Sequence, residues 1–291
     1  MRRPARQAAG FGIAILVVLV VWELVKWLAG DPWRFESFLG TGIRIDHLPP
    51  FHINQASDIN LPHVWDVIGA FFTVDASGES AFVGLLSAAL FTLRGAAVGF
   101  ALGAAVGLGL AILLVHVPVL ERALVPIVVA SQTIPIVALA PIIVAGLQAG
   151  WFGIAIVASY LTFFPVTVGA IRGLRAADPR AFELMRSYAA SRRDVLLNVR
   201  LPASYPYLFT ALKVSATASI VGAIVGELPS GFREGLGGTI LRAMQYYTLS
   251  PADLWAAVIV AAALGVLAFL AFVGSERFAL RNQRPVEPAA A

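Results

Sequence analysis

Cysteine is absent from the 291 residues. That excludes a disulfide scaffold, a thiolate metal site and a cysteine nucleophile. Lysine is almost absent too, with Lys26 and Lys213 the only two. Neither follows a glycine, so a G-K-[ST] phosphate loop cannot be built from this chain. Any nucleotide energy it uses must come from another polypeptide. H-E-x-x-H and G-x-S-x-G are missing, and no apolar run carries a carboxylate pair suited to acid–base work. Charge is scarce: 13% of residues are charged and 59% hydrophobic, where a soluble domain carries about 25% charged residues. What remains is a succession of long apolar runs, and the chain reads as an all-α integral membrane protein. The net charge of +4 does not point to nucleic acid, because arginines flanking spans are the ordinary topology signal.

Six transmembrane helices are expected. The first covers about residues 11–29. MRRPAR ahead of it has the charge of a signal peptide, but Trp27 stands where a cleavage site needs a small residue. Trp22, Glu23, Lys26 and Trp27 read instead as an interfacial anchor. Residues 30–79 form a polar outer segment ending in a short surface helix over 61–72. It contains His47, His52 and His63, whose spacing matches no familiar metal site and which read as part of a solvated loop. A helical run over 80–115 follows, longer than the roughly 20 residues a bilayer needs. Gly95, Gly99, Gly103 and Gly107 recur along it every fourth residue, a stripe that lets another helix approach closely.

The third span covers about 120–147 and contains Pro126, Pro135 and Pro141. Proline frees backbone carbonyls, which in lipid must find partners; broken helices are tolerated where they face protein or a water-filled path. Gln132 and Thr133 are therefore candidate path residues, with local bonding and packing as the alternative. The fourth span, 151–171, offers Ser159 and Thr162, and the fifth, 207–225, offers Ser215 and Ser219. Glu227 and Lys213 are ionisable groups near the ends of the fifth span, and an intramembrane charge marks function by default. Lys213 lies near enough to one end to snorkel. A polar outer loop over 230–253 leads to the sixth span, 254–273. Placing both termini in the cytoplasm puts most arginines inside. The organisation is then 1–29, N-terminus and first span; 30–79, outer segment; 80–275, a five-helix core with a cytoplasmic loop over 172–206; and 276–291, a basic, Pro/Ala-rich tail expected to fray.

That loop is the most charged stretch of the chain. Asp178-Pro179 opens a helix, on which Ala181, Leu184, Met185 and Tyr188 share a face. Ser191-Arg192-Arg193-Asp194 opens a second by the capping-box pattern. Pro202 and Pro206 are expected to end it and launch the fifth span. Two short helices thus meet in an elbow at Ala189-Ala190, presenting a knob to the cytoplasm.

The loop resembles the signature E-A-A-x3-G-x9-I-x-L-P of the membrane subunits of ATP-binding-cassette (ABC) importers. Glu183 takes the glutamate position, Ala189 the glycine, Val199 the isoleucine, and Leu201-Pro202 the final pair. Leu184 and Met185 replace the two alanines, and Ala189 stands where glycine reaches positive φ freely. The resemblance extends over roughly residues 60–275. FTLRGAAVGFALGAAVGLGLAILL, QTIPIVALAPIIV and LPASYPYLFTALKVSATASIVGAIVGEL are similar to successive helices of the aliphatic sulfonate, taurine and nitrate permease branch.

The resemblance implies a Type I ABC importer permease fold. It implies a second permease, identical or paralogous, an extracytoplasmic substrate-binding protein, and two ATPase subunits that hold the ATP and magnesium, with no cofactor in this chain. Glu183, Tyr188, Ala189, Ala190, Ser191, Arg192, Arg193, Leu201 and Pro202 would form the ATPase-coupling loop. The setting implied is the bacterial inner membrane, and the cargo a sulfonate or nitrate, or a thiamine or flavin precursor. Two other classes stand against this reading. A self-contained channel or secondary transporter calls for inverted repeats and buried ion-coupling carboxylates. A membrane enzyme calls for a catalytic constellation.

Overall fold

A computed structural model describes residues 2–35, 45–74, 78–147 and 150–281. Most of the expected tail, 282–291, lies outside the described residues, as do 36–44 and 75–77 of the outer segment. The helices are α1 (Arg2–Ala29), α2 (Val64–Ala70), α3 (Ala81–His116), α4 (Pro118–Ser131), α5 (Ile136–Leu147), α6 (Trp151–Arg175), α7 (Pro179–Ser187), α8 (Arg192–Val195), α9 (Leu201–Glu227), α10 (Leu236–Gln245) and α11 (Pro251–Leu280). Five of the helical stretches are long and apolar enough to cross a membrane, and α4 with α5 supplies a sixth if that bent pair is one span. The chain divides into two compact units, Met1–Leu85 with Ile240–Ile259, and Leu86–Thr239 with Val260–Ala291.

In the first unit the end of α1 holds the outer segment by its polar residues. Lys26 is 0% exposed, and its ammonium donates to Asp58 Oδ1 at 2.5 Å and to Leu61 O at 2.6 Å. The Glu23 carboxylate accepts from Val64 N–H at 2.7 Å and sits 2.9 Å from His63 Nδ1. Trp22 Nε1 donates to Pro62 O, and its ring meets Trp255 edge-on. Residues 22, 23 and 26 share one helix face by their spacing, which is why one side of α1 makes all these bonds. The outer segment is not the expected solvated loop. It contains an antiparallel pair, β1 (Trp33–Phe35) with β2 (Ile45–His47). His63 is 2% exposed and stacks on Trp65, His47 stacks on Trp27, and of the three only His52 is exposed to solvent. The surface helix is shorter than expected, α2 alone. Partial desolvation raises the Asp66 carboxyl from its ordinary value.

In the second unit α6 is the centre, with eleven of its residues buried. The glycine stripe of α3 lies along it. A Cβ built on Gly99 would fall 2.5 Å from Ala155 O and Ala158 Cβ, one on Gly103 2.5 Å from Ser159 O, and one on Gly107 2.6 Å from Phe163 O; Gly95 faces Ile154. On another side α9 approaches as closely, with Gly173 against Ser204, Gly169 against Ala211 and Gly222 against Ala158. With no side chains between them, the backbones interlock along most of the length of α6, and dispersion replaces the hydrophobic effect that lipid cannot supply.

Two proline-rich stretches depart from expectation. The third span is two helices, α4 and α5, meeting at 95°. Pro126 and Pro141 are absorbed inside them, and the break falls at Pro135. There Ser131 Oγ donates to Val128 O and Thr133 Oγ1 to Ala130 O, so hydroxyls take up carbonyls near the helix end. At the second stretch no stop occurs. Helix α8 runs through a π-helical turn, Leu196–Arg200, straight into α9. Leu201 N–H reaches back to Leu196 O. This wider turn makes room for the ring of Pro202, which would meet the carbonyl of residue 198 in a regular helix. The outer loop 230–253 also contains α10, and α11 is longer at both ends than the expected sixth span.

Gly103→Val should lower thermal stability in detergent, since overpacking a tight contact costs about 1–3 kcal/mol. Gly109→Ala, where nothing lies within 4 Å of the added Cβ, should leave the melting temperature unchanged or raise it. Equal effects of the two would mean that the α3–α6 contact does not limit stability.

Candidate functional site: a capped elbow between two helical rods

The elbow is built from local hydrogen bonds. The Asp178 side chain accepts from Arg180 N–H at 2.8 Å and starts α7, with Pro179 in its first turn. Helix α7 ends in a Schellman motif: Ala190 N–H donates to Met185 O and Ala189 N–H to Arg186 O. That motif needs a left-handed residue, and Ala189 fills it with φ 48°, the one non-glycine residue with positive φ among the described residues. Ser191 then caps α8 by a full capping box, its hydroxyl accepting from Asp194 N–H while the Asp194 carboxylate accepts from Ser191 N–H. The reversal at Ala189-Ala190 is thereby fixed from both sides.

Nothing in α7 or α8 is buried. Leu184 is 57% and Tyr188 76% exposed, so two residues of the face expected to be apolar point outward, while Ala181 and Met185 are half-buried. Glu183, Ser191, Arg192 and Arg193 are exposed beside it, Ala190 is half-buried, and Leu201 and Pro202 lie in the first turn of α9. Arg200 ties this knob to its base. Its guanidinium donates to Leu174 O at the end of α6 at 3.0 Å and lies over the Phe182 ring. Arg175, one residue further along, pairs with Glu121 at the start of α4. A rigid, solvent-facing knob with uncovered leucine and tyrosine is suited to enter a groove on another protein.

The polar residues expected to line a path fall into two places. Gln132 and Thr133 are exposed at the 95° bend, where the Tyr160 hydroxyl bonds to Ser131 O. Ser159, Thr162, Ser215 and Ser219 lie on α6 and α9. Ser159, Thr162 and Ser219 return their hydroxyls to their own helices, at Ile156 O, Ala158 O and Ala216 O. Ser215 donates across to Thr162 O at 3.3 Å. Glu227 is 1% exposed and accepts from Gly237 N–H at 2.7 Å and from the Thr92 hydroxyl at 3.0 Å. Lys213 does not stand alone, because Glu276 of α11 pairs with it at 2.8 Å.

Thr92, Gly237 and Glu276 were not legible as partners. The sequence offered a hydroxyl in an apolar run and a carboxylate near a span end, but 135 residues separate Thr92 from Glu227 and 63 separate Lys213 from Glu276. No metal-binding group of three or more histidines and carboxylates occurs among the described residues.

Residues 79–281 match the family model described as the binding-protein-dependent transport system inner membrane component. The chain is similar to the formylaminopyrimidine transport permease protein of Halalkalibacterium halodurans, at 30% identity over 91% of this chain and 92% of that one. It is similar at 30% identity to the riboflavin transport system permease protein of Chloroflexus aurantiacus, over 80% of this chain and 75% of the relative. Among solved structures, an amino acid ABC transporter with histidines matches in fold with a TM-score of 0.52 and 19% identity, over 72% of this chain and 99% of that one.

A left-handed alanine costs about 1–2 kcal/mol that glycine does not incur. Ala189→Gly should therefore raise the melting temperature of the elbow's packing in detergent, and Ala189→Val should lower it. An unchanged melting temperature in both variants would show that the backbone relaxes at this position.

Proposed function

The chain belongs to the family of binding-protein-dependent transport system inner membrane components, and we propose that its elbow couples a separate ATPase to the uptake of a small nitrogen heterocycle. Members of this family are transport permease subunits of ABC importers rather than enzymes. The observation that carries the coupling role is the elbow itself: two capped helices held at a fixed angle, with Leu184 and Tyr188 uncovered. Their apolar surface is what a groove on the ATPase would desolvate.

In this reading, two permeases form the path in the bacterial inner membrane, with both termini and the elbow on the cytoplasmic side. Two ATPase subunits carry ATP and magnesium. A binding protein delivers cargo from outside. Closure of the ATPases moves the elbow, and α9, continuous with α8 through the π turn, carries the movement inward. The cargo assignment rests on the similarity, along nearly the whole chain, to a permease named for formylaminopyrimidine, joined by one named for riboflavin. A sulfonate or nitrate cargo fits less well, since Lys213, the cation that would favour an anion, is already paired with Glu276.

A thermal-shift screen on the cognate binding protein tests the cargo. Stabilisation by aminopyrimidines or flavin precursors is expected, and stabilisation by sulfonates or nitrate alone overturns that part. Glu183→Ala tests the coupling. Loss of an interface contact worth about 1 kcal/mol should make the permease bind its ATPase roughly fivefold more weakly and lose uptake while inserting normally. Uptake at the parent rate would count against the elbow's role.

A further inference from the structure

Glu227 ends α9, and three separate parts of the second unit meet on its side chain. Oε2 accepts from the backbone N–H of Gly237, in the first turn of α10, and from the hydroxyl of Thr92 on α3. The same hydroxyl oxygen of Thr92 accepts from Leu236 N–H at 2.9 Å. Carboxylate, hydroxyl and two N–H groups thus close a ring among α3, α9 and α10, with Thr92 0% exposed. The N-terminal N–H groups of α10 and its dipole favour a negative charge there. The connecting turn is drawn in as well. Ser230 Oγ donates to Glu227 O and accepts from Phe232 N–H. A Cβ on Gly235 would overlap the Glu227 carboxyl, and one on Gly237 would stand 2.7 Å from Glu227 Cβ. Glycine at both positions is what lets the turn fold over the carboxylate.

The second oxygen, Oε1, is buried with no hydrogen-bond partner among the described residues. A buried carboxylate satisfied on one side only is costly.

The other end of α9 is the elbow. From Leu201 to Glu227 the helix has 27 residues, a rod of about 40 Å, and α6 holds it laterally through Gly169, Gly173 and Gly222. We infer that Glu227 and Thr92 form a clasp that fastens the turn 228–238 to the far end of α9, so that movement of the elbow is delivered to the outer loop. This rests on the coupling role proposed above. Glu227 is then a positioning residue for the outer loop, and its effect on cargo passes through that loop.

The absence of native cysteine makes the test direct. Single reporters are placed at exposed Glu234 (Glu234→Cys) and, separately, at exposed Arg186 of the elbow (Arg186→Cys). The assembled transporter, with its ATPase, is reconstituted in lipid nanodiscs, and maleimide labelling rates on this chain are compared with and without ATP and vanadate. In the parent both rates should change with nucleotide. In Glu227→Ala and in Thr92→Val the change at Glu234→Cys should be lost while that at Arg186→Cys persists. Glu227→Gln, which keeps an acceptor for Gly237 and Thr92, should retain both. A purely structural Glu227 would alter yield or melting temperature and leave the nucleotide-dependent change intact. Retention of the parent response at Glu234→Cys in both disrupting variants overturns the clasp. A parent whose Arg186→Cys reporter ignores nucleotide overturns the coupling reading first, and the inference with it. If Glu227→Ala fails to assemble, the near-isosteric Thr92→Val decides between the same two outcomes by itself.

Discussion

The close approach of α3 and α9 to α6 is the contact on which the rest of the second unit depends. Six glycines, three facing α6 from α3 at positions 99, 103 and 107 and the others at 169, 173 and 222, bring backbone against backbone. In lipid there is no hydrophobic gain from hiding one apolar helix behind another, so contact area at van der Waals distance has to hold the helices together. Side chains that would add area in a soluble core would here keep the rods apart. The same requirement explains the serines and threonines on α6 and α9. Thr162, Ser159 and Ser219 return their hydroxyls to their own helices, so they are small residues that leave no polar atom facing lipid.

Proline is managed in two opposite ways. At Pro135 the helix stops and turns by 95°, with Ser131, Thr133 and Tyr160 taking up carbonyls beside the break. At Pro202 the helix widens into one π turn and goes on. The difference lies in the neighbours. The bend is flanked by polar side chains able to bond to the freed groups, whereas the π turn has Arg200 anchored on Leu174 O and a capped helix directly before it. A flexible joint at residues 196–200 would absorb a push from the elbow. A continuous helix would transmit one.

Much of this was legible in the sequence, because periodicity and capping act over four residues. The caps at Asp178 and Ser191, the elbow, the glycine stripe and the apolar runs were all local patterns. Alanine at 189 was recognisable as a mismatch for the same reason, and its positive φ locates the strain there. What escaped was set by partners far away in the chain. Lys26 and Glu23 read as an anchor on the lipid interface; their pairings depend on Asp58, His63 and Val64. Three histidines read as solvated because no local spacing reveals that Trp27 and Trp65 stack on two of them. The continuity at Pro202 was hidden because a π turn has no compositional signature.

The clamp at the end of α1 has a consequence for how the chain is made. Glu23 and Lys26 leave the ribosome 32 to 41 residues before the groups that bind them. At about 5–20 residues per second that interval lasts roughly 2–8 s. During it an ammonium and a carboxylate at the edge of a greasy helix are unpaired and hydrated, which keeps α1 from sinking past them. When Asp58 and His63 arrive, the Lys26 ammonium is withdrawn from water and Glu23 becomes half-buried, and both then hold the depth of the helix. The first span is threaded by its own hydrophobicity, but the segment synthesised after it is what locks it in place.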